Sequence, residues 1–179
     1  MSWTAPVHGD ASGAMPNSNM TYPKLSPMGA IFSDCRTWRY VLWRDWDTHL
    51  AFVAFIGLNP STADETTDDP TVRRCIGYAK AWGYGGLYML NLFAFRATDP
   101  KAMRVAQDPI GPLNNQYLVE YSKKAGQVIA AWGCHGPYRN RDIGVLAMIP
   151  DLFCLGQTKA GHPRHPLYLR ADTQPTRLR

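Results

Sequence analysis

Apolar and polar positions divide the chain into short blocks with two different periods. Trp38, Tyr40 and Leu42 alternate with Arg39, Val41 and Trp43, the two-residue period of a strand with two unlike faces. Asp47, Thr48 and His49 read as a tight turn. Residues 50–58 then form an unbroken apolar run, as expected of a central strand covered on both faces. In "DDPTVRRCIGYAKAWG" the period lengthens. Val72, Cys75, Ile76, Ala79 and Trp82 share one helical face, Asp69 suits the cap, Pro70 the first turn, and Gly83 the stop. Three more apolar strands follow, at residues 87–95, 127–133 and 152–156. Between them lie a short helical turn in "DPKAMRVA" and two helices. One spans 113–124, with Leu113, Tyr117, Leu118 and Tyr121 facing inward, and the other spans 138–149. The chain end is basic and reads as a loop.

Strands alternating with helices predict an α/β fold: three α/β/α layers around a central, mostly parallel four-stranded sheet, plus an N-terminal antiparallel strand. Residues 1–28 are rich in Pro, Ser, Asn, Gly and Met and have no period, so they read as an irregular arm. Residues 29–179 then form a single domain, a length one core can serve.

Composition narrows the class. The chain is 45% hydrophobic and 18% charged, which excludes a disordered protein. No run reaches the roughly 18 apolar residues of a membrane span, and the first residues lack a signal-peptide pattern. The expectation is a cytoplasmic protein with no membrane partner and no obligate protein partner. The four cysteines contain no close pair, so reduced thiols are expected and no metal or cofactor is called for. A net charge of +5 fits a polyanionic partner but does not identify one.

The candidate chemistry sits after the strands. "GLNPS" places Gly57, Leu58, Asn59, Pro60 and Ser61 at the end of the first buried strand. Asn91, Arg96 and Thr98 lie in or after the second, Gly133 and His135 after the third, and Lys159, His162, Arg164 and His165 after the fourth. Parallel strands share a direction, so these groups should meet at one sheet edge, where open α/β sheets hold ligands. Each has a plainer reading. Asn before Pro commonly closes a turn, and Asn91 can satisfy neighbouring backbone. Prolines in "GHPRHPLYLR" prevent a helix that would align the two histidines on a metal. Asp64, Glu65, Asp68 and Asp69 suit either Mg²⁺ or a helix start, and the helix start is favoured.

Four segments in order resemble the uracil-DNA glycosylase superfamily, especially its mismatch-specific uracil/thymine branch: "GLNPS", "LNLFAFRATDP", "VIAAWG" and "RHPLYLR". The resemblance covers about residues 52–170. The same strings, with "LNPSTAD" and "GHPRHPLYL", look most like an uncharacterised family of bacterial and phage proteins. Ser61 stands where the mismatch-specific branch has Gly, the paired cysteines of the iron–sulfur branch are absent, and an insertion follows the first motif.

The resemblance implies a DNA glycosylase that flips a uracil-like or modified base into a pocket and hydrolyses its bond to the sugar. Asn59 would orient the water and His165 would hydrogen-bond the departing base. Asn91 would read the base edge, within a pocket that Gly57, Leu58, Pro60, Ser61 and Tyr78 help to form. Lys159, His162, Arg164 and Arg170 would hold DNA, single- or double-stranded. Leu167 or Tyr168, beside Pro166, would wedge into the stack. Two alternatives stay open: a recognition module that binds a modified base without cutting it, and a Mg²⁺-dependent nucleotide hydrolase using the acidic run.

Overall fold

The computed structural model describes residues 26–179. The elements are β1 (Met28–Phe32), β2 (Arg39–Asp45), β3 (Phe52–Gly57), α1 (Pro70–Ala81), β4 (Gly86–Asn91), α2 (Pro100–Val105), α3 (Asn114–Lys124), β5 (Gln127–Ala130), α4 (Arg141–Met148), β6 (Phe153–Cys154) and β7 (Thr176–Arg177). All seven strands join one sheet in the order β1-β2-β4-β3-β5-β6-β7. The four central strands, β4, β3, β5 and β6, run parallel. Helix α1 covers one face through Val72, Cys75, Tyr78 and Ala79. Helices α2, α3 and α4 cover the other through Met103, Leu118 and Val145. The protein is therefore a three-layer α/β/α sandwich.

The connections create the place for a site. The chain leaves β3 through α1 to reach β4 on one side. It then passes through α3 on the opposite face and enters β5 on the other side of β3. Loops after β3 and β5 therefore diverge to opposite faces and leave a crevice beyond the strands' carboxyl ends.

Several expectations need correction. The sequence leaves the partner of β2 open; β4 lies between β2 and β3, antiparallel to β2 and parallel to β3. The glycines before β4 permit this insertion, since a Cβ at Gly85 would lie 1.9 Å from the Asp47 carbonyl oxygen. Two N-terminal strands, not one, are antiparallel, and the basic end contributes a third antiparallel strand, β7. The arm assigned to residues 1–28 falls mostly outside the described residues, and Met28 already opens β1. Leu113 is exposed at the start of α3, whereas Leu118 is fully buried. Tyr117 stacks on Tyr40, and Tyr121 meets Tyr88 edge-on. The expected helix over 138–149 is broken: Arg139 and Asn140 have φ near +55°, and α4 begins only at Arg141.

Strand β2 also departs from simple alternation. Ile31 faces Val41 and Phe32 faces Arg39, which leaves Tyr40 as the extra residue of a β-bulge. Tyr40 and Val41 consequently both join the core under α3. Arg39 is thrown to the other face, where its Nη1 donates to the carbonyl of Ala63, a residue of the core under α1. Regular alternation would have put Arg39 on the same face as Val41.

Candidate functional site

The crevice is a cavity of about 450 Å³, within the roughly 300–1,000 Å³ usual for small-molecule sites. Its wall comes from the ends of three parallel strands. Gly57 to Asn59 and Ser61 follow β3, Asn91 ends β4, and Trp132 to His135 follow β5. His165 and Tyr168 close it from the C-terminal segment, while Arg39 and Asp69 enter from β2 and the start of α1.

Asn59 is held by its donor end. Nδ2 gives hydrogen bonds to the carbonyls of Pro60 (3.1 Å) and Ala97 (2.8 Å). Two carbonyl partners can only face an amide nitrogen, so this network fixes the orientation and leaves Oδ1 as the free, accepting end. Pro60 itself is buried and does not line the cavity. Its carbonyl also accepts from the Ala97 N–H at 2.9 Å, so it braces the loop.

Asn91 is only 3% exposed, yet its Nδ2 has no partner among the described residues. A side chain at position 57 would press on it, since a Cβ there would lie 3.0 Å from Asn91 Oδ1. Gly57 thus allows a close approach that a larger residue would crowd. An unpartnered buried amide costs about 1–3 kcal/mol, which a ligand acceptor would recover.

His165 leads into the turn Pro166–Tyr168, and its Nδ1 accepts from the Leu167 N–H at 3.4 Å. The neutral ring then carries its proton on Nε2. Burial lowers its pKa below the ordinary 6.5, opposed by the charge of Asp69, so the neutral donor form dominates at neutral pH. Tyr168 packs beside the imidazole with ring centroids 5.6 Å apart and is 84% exposed at the rim. Leu167 is also exposed, and Pro166 is buried beneath the turn.

Helix α1 anchors this segment. Tyr78 donates its hydroxyl to the Arg170 carbonyl at 2.7 Å, Trp82 Nε1 donates to the Thr173 carbonyl at 3.2 Å, and Arg74 Nη2 donates to the Leu169 carbonyl. Tyr78 therefore corrects an expectation: it is a core residue, 1% exposed, that does not reach the cavity.

Lys159, Arg164 and Arg170 are exposed outside the cavity, and His162 is half-buried outside it. The segment carrying Lys159 is tied by Thr158 N–H to the His162 carbonyl (2.9 Å) and Arg164 N–H to the Gly156 carbonyl (2.9 Å). Arg170 pairs with Asp172 at 2.9 Å in solvent, a contact too exposed to hold it away from a phosphate.

The acidic run is dispersed among separate tasks. Asp64 accepts from the backbone of Thr66 and Thr67, Glu65 pairs with Arg36, and Asp68 pairs with Arg44. Asp69 caps α1 by accepting from the Val72 N–H at 2.8 Å. Among the described residues no three such side chains form a metal-binding group.

The family match spans residues 39–167, from the first residue of β2 into the turn after His165. The chain belongs to the family described as "Protein of unknown function (DUF1643)". No curated protein and no solved structure matches it. Every residue lining the cavity except Tyr168 lies inside the DUF1643 match.

Arg39, Asp69 and Trp132 are among the lining residues that were not assigned to the pocket from the sequence. Arg39 looked like the outer face of a strand, and only the bulge at Tyr40 turns it inward. Asp69 carried a cap signal that hid its second position. Trp132 read as the end of an apolar strand; it is 2% exposed and its Nε1 has no partner among the described residues.

Proposed function

We propose that this DUF1643 protein is a DNA glycosylase, which hydrolyses the bond between a flipped uracil-like or modified base and its sugar. The observation that carries this reading is the convergence of Asn59, Asn91 and His165 on one cavity, although 106 residues separate the outer two.

Their hydrogen-bonding states match the roles the reaction needs. Breaking the bond leaves positive charge on the sugar and negative charge on the base. His165 Nε2–H would stabilise a base carbonyl oxygen as that charge arrives. Asn91 Nδ2 would donate to a second acceptor on the base edge. Asn59 Oδ1, with its amide nitrogen tied back, would accept from the attacking water and aim its oxygen at the sugar carbon. Water then adds its hydroxyl to that carbon, and its proton leaves with the base. An amide is a poor general base, so the barrier is lowered chiefly by orientation and electrostatics. The Asp69 carboxylate adds negative charge on the wall, which favours the cationic sugar.

Tyr168 and Leu167 on the rim are suited to fill the stack behind the extruded base. Lys159, Arg164 and Arg170 supply exposed cations for phosphates, consistent with the +5 net charge. The test is incubation with single- and double-stranded DNAs carrying uracil, deaminated purines and 5-substituted pyrimidines, followed by alkaline cleavage at abasic sites. Release of one of these bases, lost in His165→Ala, is the expected result. No release from any of the panel, or equal release by the variant, overturns the proposal.

A further inference from the structure

Strand β2 carries two buried arginines, and only one has its charge answered. Arg44 gives Nε to Asp68 Oδ1 at 2.8 Å, Nη1 to the carbonyls of Trp43 (2.8 Å) and Gly29 (3.4 Å), and Nη2 to those of Asp64 (2.8 Å) and Thr67 (3.3 Å). Among the described residues Arg39, 2% exposed, has a single hydrogen bond, from Nη1 to the Ala63 carbonyl at 2.8 Å. Its Nε has no partner, and no carboxylate lies within ion-pair distance among the described residues. Asp69, a counter-charge on the same wall, is occupied in capping α1. Burial pulls the guanidinium pKa down to about 10, with Asp69 opposing, so the charge persists at neutral pH.

A buried, nearly unpaired guanidinium is costly, and here the chain goes out of its way to keep one. The bulge at Tyr40 exists in the same strand and turns Arg39 from the α3 face into the cavity wall. Bulges next to active sites commonly re-aim one side chain in this manner.

We propose that Arg39 is the anion-reading group of the cavity and that the ligand presents it with an oxyanion, a phosphate or a carboxylate. A guanidinium donates from a planar fork that matches either group. The oxyanion comes either from the nucleotide's own phosphate or from an acidic substituent on the base. Asn91 Nδ2, another unpartnered buried donor on this wall, takes a neutral acceptor of the same ligand. The inference rests on the nucleotide-binding reading above but not on excision.

The test measures binding, so it separates the two. Wild-type protein and Arg39→Met are titrated with deoxyuridine, deoxyuridine 5′-monophosphate, 5-carboxydeoxyuridine and inorganic phosphate. The wild type is expected to bind at least one anionic nucleoside about tenfold or more tightly than deoxyuridine, as for a charge-assisted hydrogen bond. Preference for the monophosphate assigns the oxyanion to the backbone, and preference for the carboxylated base assigns it to the substituent. Arg39→Met should erase the preference and leave the affinity for deoxyuridine. Arg39→Lys, which keeps the charge without the fork, should retain a weaker preference and serves if the Met variant does not fold. Equal wild-type binding of charged and neutral nucleosides, no binding of any probe, or an undiminished preference in the variants, overturns the proposal. An Arg39-dependent preference without base release would keep this inference and remove the excision reading. Base release without the preference would do the reverse.

Discussion

Arg44 and Arg39 stand five positions apart on one strand, equally buried, in opposite conditions. Arg44 is enclosed by one carboxylate and four carbonyls and serves the fold. Arg39 has one carbonyl and a cavity. The amides repeat the contrast. Asn114 Nδ2 is committed to the carbonyls of Asn91 (3.1 Å) and Leu92 (3.0 Å), while Asn91 Nδ2, across the same backbone, has no partner among the described residues. Burial alone does not separate structural from ligand-facing polar groups; satisfaction together with position does. Trp132 Nε1, also on the cavity wall, likewise lacks a partner among the described residues, whereas Asn114 Oδ1 and Ser122 Oγ lack one away from the cavity.

The sharpest way to break this comparison is Arg44→Met. It leaves the Asp68 carboxylate and several carbonyls unanswered, and is expected to lower unfolding free energy by about 3–5 kcal/mol in urea titration. A loss below ~1 kcal/mol would make Arg44 as dispensable as Arg39 and dissolve the contrast. Asn114→Leu comes next, with a cost of about 1–3 kcal/mol by the same measurement, because it strands the Asn91 carbonyl. Arg39→Met and Asn91→Leu should each change stability by no more than ~1 kcal/mol, since each removes a buried group that the free protein leaves mostly unanswered. Arg39→Met should nevertheless lose the preference for anionic nucleosides, and Asn91→Leu should weaken binding of charged and neutral nucleosides alike. A cost for Arg39→Met equal to that of Arg44→Met would return Arg39 to the fold.

The smallest effect expected is on pH dependence. The folded protein disfavours the His165 imidazolium through burial, so below pH 6.5 the unfolded chain binds the extra proton more readily. This contribution makes stability fall as pH drops below that value and leaves it level above. Melting temperatures of wild type and His165→Asn, compared at pH 5 and pH 7, should show a smaller drop in the variant. An equal drop would assign the acid sensitivity to other groups.

Much of this was legible in the sequence. Apolar runs ended by polar clusters located the four parallel strands and the edge where Asn59, Asn91 and His165 gather. Asp69 followed by Pro70 marked the start of α1. What stayed hidden depended on contacts between distant segments. A bulge is defined by its partner strand, so the pattern around Arg39 gave no sign that alternation fails at Tyr40. The insertion of β4 between β2 and β3 was hidden for the same reason, since strand order depends on pairing between distant segments. Tyr78 was placed among the pocket residues because it follows the first motif, but the C-terminal segment that buries it is about ninety residues away. Asp69 was recognised by its cap, and one local role concealed the other.

The account turns on Asn59 presenting its carbonyl oxygen to a water beside an extruded base. The most direct measurement is the single-turnover rate of base release from DNA by wild type and Asn59→Ala, with each variant's folding checked by its melting curve. The account predicts a loss of about 100-fold or more in a protein that still folds, the magnitude of removing one preorganised polar group from a reacting centre. Equal rates in the two proteins would contradict it.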